Sequence, residues 1–158
     1  VKKIEWKKFI FSIALCQGAG LIGSVFTAPA ITTWYITLNK PPFSPPNFLF
    51  GPVWITLYAL MGVSLYLIWQ KGLEKEKVKD AMTLFGIHLL VNASWSIIFF
   101  GLKNITWALL DISFLLGVIL AVITKFYPID KRAAYLLTPY LIWVAFAAML
   151  NYSIWLLN

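Results

Sequence analysis

The chain has 158 residues, of which 61% are hydrophobic and only 12% charged, and it carries a formal net charge of +7. That charged share is about half that of a soluble globular protein. Water is therefore not its main solvent, and the single cysteine excludes both an internal disulfide and a multi-cysteine metal site.

The apolar residues fall into five runs of about twenty, each long enough at about 1.5 Å per residue to cross a hydrocarbon core about 30 Å thick. The expected fold is all-α: one integral membrane bundle of five transmembrane helices spanning 1–158. The first run, Trp6–Phe26, has Lys2 and Lys3 before it and Lys7 and Lys8 at its start. It is longer than the apolar core of a cleavable signal peptide, so it reads as a retained span. Cys16 within it is a small packing residue. The segment Gly18–Gly23 matches the GxGxxG pattern literally, but no strand precedes it and it lies within a span. Small residues at i, i+4 spacing, Ala19 with Gly23 and Gly20 with Ser24, point instead to close helix packing.

Between the first and second runs lies the longest loop, Thr27–Leu49, with Pro29, Pro41, Pro42, Pro45 and Pro46. Proline fixes its own φ and restrains its predecessor, so this loop is stiff and shaped. Its Trp34 and Tyr35 are amphipathic rings suited either to the headgroup level or to covering a pocket mouth. The second run is Phe50–Trp69, and the charged turn Lys71–Asp80 leads into the third, Ala81–Phe100. The fourth is Ile105–Phe126 and the fifth Tyr135–Leu157.

Charge sorts with the loops. Eleven of the thirteen Lys and Arg residues lie before or at the start of the first run, in Lys71–Lys79, or at Lys125, Lys131 and Arg132; only Lys40 and Lys103 fall on the other side. The positive-inside rule then places the N-terminus in the cytoplasm and the C-terminus outside. The same sorting accounts for the net charge without nucleic acid.

Four polar residues stand where lipid should exclude them: His88, Asn92, Asp111 and Asn151. An Asp at a helix centre costs about 2.5–3.5 kcal/mol on insertion scales, so Asp111 needs protein or water beside it. With the rise of a helix, Asp111 and Asn151 lie ~9 Å, Asn92 ~12 Å and Trp54 ~6 Å below the outer end of the bundle. Helical spacing puts His88, Asn92, Trp95 and Phe99 on one face, Trp54, Tyr58, Met61 and Leu65 on a second, and Trp143, Ala147, Leu150 and Asn151 on a third. An aromatic cavity with a few polar groups suits a flat, largely apolar ligand. The alternative is that Asn92, Asp111 and Asn151 bond one another as interhelical glue while the rings simply pack. His88, the only histidine, could ligate haem or carry protons, but one ligand makes a weak metal site. No hydrolytic triad is evident, and no metal site is expected.

The segments WYITLNKPPFSPPNFLFGPVWITLYALMG (Trp34–Gly62), NASWSIIFF (Asn92–Phe100), WALLD (Trp107–Asp111) and LLTPYLIWVAFAAMLNYSIWLLN (Leu136–Asn158) strongly resemble the translocator protein, or TspO/MBR, family, over nearly the whole chain after Gln17. The resemblance implies a five-helix bundle, usually a homodimer in membrane lipid. It implies binding of porphyrins such as protoporphyrin IX, of sterols in some members, and of isoquinoline carboxamide or benzodiazepine-type ligands, with no cofactor required. By motif position it marks Trp54, Asn92 and Trp143 as ligand contacts, Tyr35 and Pro45 as loop positions over the pocket, and Tyr58 and Trp95 as aromatic walls. Asp111, Ala147 and Leu150 match further lining positions. Light-driven breakdown of protoporphyrin in some bacterial members is attributed to tryptophans matching Trp54 and Trp143, so porphyrin would be ligand or substrate.

Three departures stand out. Phe43 replaces a tryptophan of the loop motif, His88 replaces a common glutamine, and no Lys or Arg follows Tyr152, which weakens the case for a sterol. The expectation is a porphyrin-binding receptor or sensor in a bacterial cell membrane. A transporter of porphyrin or another amphipathic solute is the alternative, although no internal repeat is visible; a scaffold that only dimerises would bind no ligand.

Overall fold

A computed structural model describes residues 3–158. Lys2, counted above among the N-terminal cations, lies outside the described residues. Six helices form five membrane-length spans: α1 (Trp6–Ile31), α2 (Phe50–Trp69), α3 (Glu76–Ser96), α4 (Ile105–Phe126), α5 (Lys131–Leu136) and α6 (Thr138–Leu157). The chain is an integral membrane protein, and α5 with α6 makes up the fifth span.

Several helix ends differ from the sequence expectation. Helix α1 does not stop at Phe26 but runs through Pro29 to Ile31. Pro29 has no N–H to give the Val25 carbonyl, and the helix runs only two residues beyond it. Thr33 donates its hydroxyl to the Pro29 carbonyl at 2.7 Å and the Trp34 N–H bonds the Ala30 carbonyl at 2.9 Å, so the last turn is satisfied. Helix α3 begins at Glu76, before the apolar run, because the Glu and Lys residues of the charged turn are themselves good helix formers. Its far end widens into a π turn over Ile97–Gly101, closed by the Leu102 N–H on the Ile97 carbonyl at 2.8 Å. The wider turn lets consecutive Phe99 and Phe100 both point inward, 2% and 6% exposed.

The fifth span starts at Lys131 and breaks at Leu137. Pro139 sits in the first turn of α6, where its missing N–H ends the bonding of α5 without cost to α6. Asp130 caps α5 by accepting from the Arg132 N–H at 2.9 Å, and the Ser64 hydroxyl donates to the Ala133 carbonyl at 2.7 Å, tying α5 to α2.

Helix α1 packs on α2 and α3, and α4 packs on α3 and α6. Toward the charged turns the interior is solid: Met61, Leu65 and Ile68 meet Phe85, Ile119 and Phe126 in one buried cluster. Toward the proline-rich loop a smaller cluster of Tyr35, Phe99, Phe100, Leu150 and Ile154 leaves room between the helices. The middle of the loop is tied to the end of α6. Lys40 donates to the carbonyls of Tyr35 and Leu38; the Asn39 N–H donates to Asn158 Oδ1 at 3.1 Å, Asn158 Nδ2 donates to the Asn39 carbonyl at 2.9 Å, and Asn39 Nδ2 donates to the Leu157 carbonyl at 3.3 Å.

Candidate functional site

The room left at the loop end is a cavity of about 730 Å³. Helix α2 contributes Trp54 and Tyr58; α3 and its π turn contribute Asn92, Trp95, Phe99 and Phe100; α6 contributes Trp143, Ala147, Leu150 and Asn151. Tyr35 and Phe50 close the loop side, the two rings packed edge to face at 6.3 Å. Glycines form much of the α1 wall. A Cβ at Gly20 would lie 2.6 Å from the Tyr58 ring, so this glycine is what admits the ring between α1 and the cavity. At the rim between α1 and α2, Gln17 donates its amide N–H to the Ile55 carbonyl at 3.0 Å.

Polar groups reach this apolar space from two sides. Tyr58 donates to Asn92 Oδ1 at 2.5 Å, Asn92 Nδ2 donates to the Tyr140 hydroxyl at 2.8 Å, and Tyr140 lies 2.6 Å from His88 Nε2. On the other side Asn151 accepts from Trp95 Nε1 at 3.0 Å and donates to the Ile105 carbonyl at 3.2 Å. The first set joins α2, α3 and α6, and the second joins α3, α4 and α6, so the cavity's polar atoms also set the spacing of its walls.

A TspO/MBR family model matches residues 12–156. The chain is 43% identical over 152 residues to the tryptophan-rich protein TspO of Archaeoglobus fulgidus, covering 96% of this chain and 97% of that one. It is 39% identical over 146 residues to the human translocator protein, covering 92% and 86%, and 30% identical over 155 residues to the tryptophan-rich sensory protein of Cereibacter sphaeroides, covering 98% and 94%.

The chain belongs to the TspO/MBR family.

Of the positions singled out in this TspO/MBR sequence, Tyr35, Trp54, Tyr58, Asn92, Trp95, Trp143, Ala147, Leu150 and Asn151 line the cavity together. Pro45, His88 and Asp111 are not among its walls. His88 is 1% exposed and stands behind Tyr140. Asp111 accepts from Ser94 Oγ at 2.8 Å at the contact of α3 with α4. Nor do the intramembrane polar residues bond one another as glue: Asn92, Asp111 and Asn151 each find other partners. Phe43, the loop departure, packs against Phe146 of α6 at 6.1 Å and offers no N–H.

Tyr140 is the residue that sequence reasoning missed. It is fully buried and bonds both Asn92 and His88. A signal existed: Tyr140, Val144 and Ala147 share one helical face, and Ala147 belonged to the expected pocket.

Proposed function

We propose that the protein is a membrane receptor or sensor whose cavity holds a flat, largely apolar ligand: a porphyrin such as protoporphyrin IX, and isoquinoline carboxamide or benzodiazepine-type compounds. The observation that carries this reading is the cavity itself. Its volume of about 730 Å³ lies within the range of small-molecule sites, and rings from α2, α3 and α6 surround two amides. Rings supply contact area at low entropic cost, and Asn92 supplies orientation. The names of the relatives, one a sensory protein and others translocator proteins, accord with a ligand-responsive membrane protein.

Titration of protoporphyrin IX into the purified protein should quench the fluorescence of its eight tryptophans. Trp54→Ala and Asn92→Ala should each weaken the affinity about tenfold, the loss of one good contact; unchanged affinity in both would remove Trp54 and Asn92 from the site. Photo-oxidative breakdown of the bound porphyrin at Trp54 and Trp143 belongs to the same reading. Illuminating the complex and following porphyrin absorbance tests it, since equal loss in a Trp54→Phe/Trp143→Phe variant means that free photochemistry suffices. The homodimer implied by the family resemblance is part of the proposal too. Flux of porphyrin into sealed proteoliposomes, abolished by the same pocket substitutions, would replace the receptor with a transporter.

A further inference from the structure

We propose that His88, which does not touch the cavity, decides which hydrogen-bonding groups the cavity presents to its ligand, by fixing the order of donors along His88, Tyr140, Asn92 and Tyr58. This rests on the reading of the cavity as a ligand site.

The order follows from one backbone carbonyl. His88 Nδ1 lies 3.3 Å from the Phe85 carbonyl, which can only accept, so Nδ1 carries the ring proton. In a neutral imidazole Nε2 is then an acceptor, and the Tyr140 hydroxyl 2.6 Å away must donate to it. A phenol has one proton. Having spent it on His88, Tyr140 can only accept from α3, and the atom facing it must be the Asn92 amide nitrogen, at 2.8 Å. The Asn92 oxygen is thereby turned to Tyr58, which donates to it. Each step leaves the next no choice.

The consequence lies at the cavity wall, which both Asn92 and Tyr58 line. Asn92 has a second N–H that no group among the described residues takes, whereas Tyr58 has committed its proton and offers only lone pairs. The donor therefore sits on α3 and the acceptor on α2. A ligand bearing an acceptor, such as a ring nitrogen, carbonyl or carboxylate, at the level of Asn92 is favoured. With the ring proton on Nε2 instead, the whole chain would turn round: Tyr140 would donate to an inverted Asn92, and the free O–H would move to Tyr58. A glutamine at position 88 could donate or accept and would fix neither order. His88 is thus a positioning residue acting through Tyr140.

The chain has a single histidine, so uniform ¹⁵N-histidine labelling reports His88 alone. In lipid nanodiscs at neutral pH the spectrum should show a protonated Nδ1 and an unprotonated, hydrogen-bonded Nε2, the reverse of the tautomer that free histidine prefers in water. Tyr140→Phe should shift the Nε2 resonance by removing its donor. A protonated Nε2 in the unaltered protein overturns the proposal.

A second arm compares protoporphyrin IX with pyrene, a flat arene with no conventional acceptor. His88→Leu should weaken porphyrin binding about five- to tenfold, the worth of one hydrogen bond, and leave pyrene within about twofold; His88→Gln should fall between. Equal weakening of both probes would mean that the cavity's shape was lost instead of its donor order, and would also overturn the proposal. If neither probe binds the unaltered protein, the ligand-site reading fails, while the labelled-histidine spectrum still decides the order of donors.

Discussion

A Cβ placed on Gly62 would lie 2.7 Å from the Cα of Ile13, closer than real Cβ contacts come. The neighbour there is backbone, so relief requires α1 and α2 to separate. We predict that Gly62→Ala lowers stability in detergent by about 1–3 kcal/mol, as overpacking does. Gly117→Ala, where a Cβ meets nothing within 4 Å, should stay within about 0.5 kcal/mol. Thermal unfolding of the two variants side by side checks this, and equal stability would show that the close approach is dispensable. The small residues of α1 were legible as packing positions from their spacing alone, but not their partners: Gly20 meets Tyr58 on α2 and Gly23 meets Ser96 on α3. The same limit explains His88. Helical spacing placed it on the face of Asn92 and Trp95, yet a ring from a residue 52 positions away stands between it and the cavity. One helix's periodicity cannot reveal what another helix puts in front of it.

At the level of whole elements, run length and loop chemistry located all five spans, and the misjudged details are helix ends that run beyond the apolar residues, as at Ile31 and Glu76, and places where backbone bonding changes type. A π turn over Ile97–Gly101 and a break at Leu137 leave hydropathy unaltered. Pro139 was the one sequence signal for the break. The start of α5 is fixed by Asp130, whose side chain caps the helix, pairs with Arg132 Nη2 at 2.9 Å and lies 3.7 Å from Lys71 just beyond α2. Burial pushes the Asp130 carboxyl upward, but the hydrogen bonds and charge of Arg132, with the charge of Lys71, together outweigh it and hold the group below its ordinary value of 3.8. A carboxyl depressed in the folded state contributes stability that is present above the unfolded value and is lost as pH falls through the folded one. Asp130→Asn keeps a capping side chain and removes the charge. Its deficit against the unaltered protein should therefore be constant at neutral pH and shrink on acidification below 3.8. Asp130→Ala, which also loses the cap, should cost about 0.5–2 kcal/mol. Unfolding midpoints measured from neutral to acid pH decide the matter; a deficit for Asp130→Asn that does not change across the series would mean that the ion pairs contribute nothing.

For the molecule as a whole, the cavity and the charge lie at opposite ends. Eleven of the thirteen cations belong to the N-terminal segment with the start of α1, to the turn from α2 into the start of α3, and to the end of α4 with the start of α5, whereas the cavity opens beneath the proline-rich loop. Juxtamembrane Lys and Arg set orientation because short cationic loops stay on the cytoplasmic side. Together the two facts predict that the cavity faces the outer compartment. Cys16 is 0% exposed, so a Cys16→Ala background carrying one new cysteine gives a clean label. Phe48, 75% exposed at the loop end, and Lys75, exposed in the charged turn, are suitable positions. In intact cells a membrane-impermeant maleimide should label Phe48→Cys at once and Lys75→Cys only after permeabilisation. The reverse pattern would turn the bundle over and bring the cavity to the cytoplasmic side. A ligand would then have to reach it from within the cell, which makes orientation the property that links the charge pattern to what can enter the cavity.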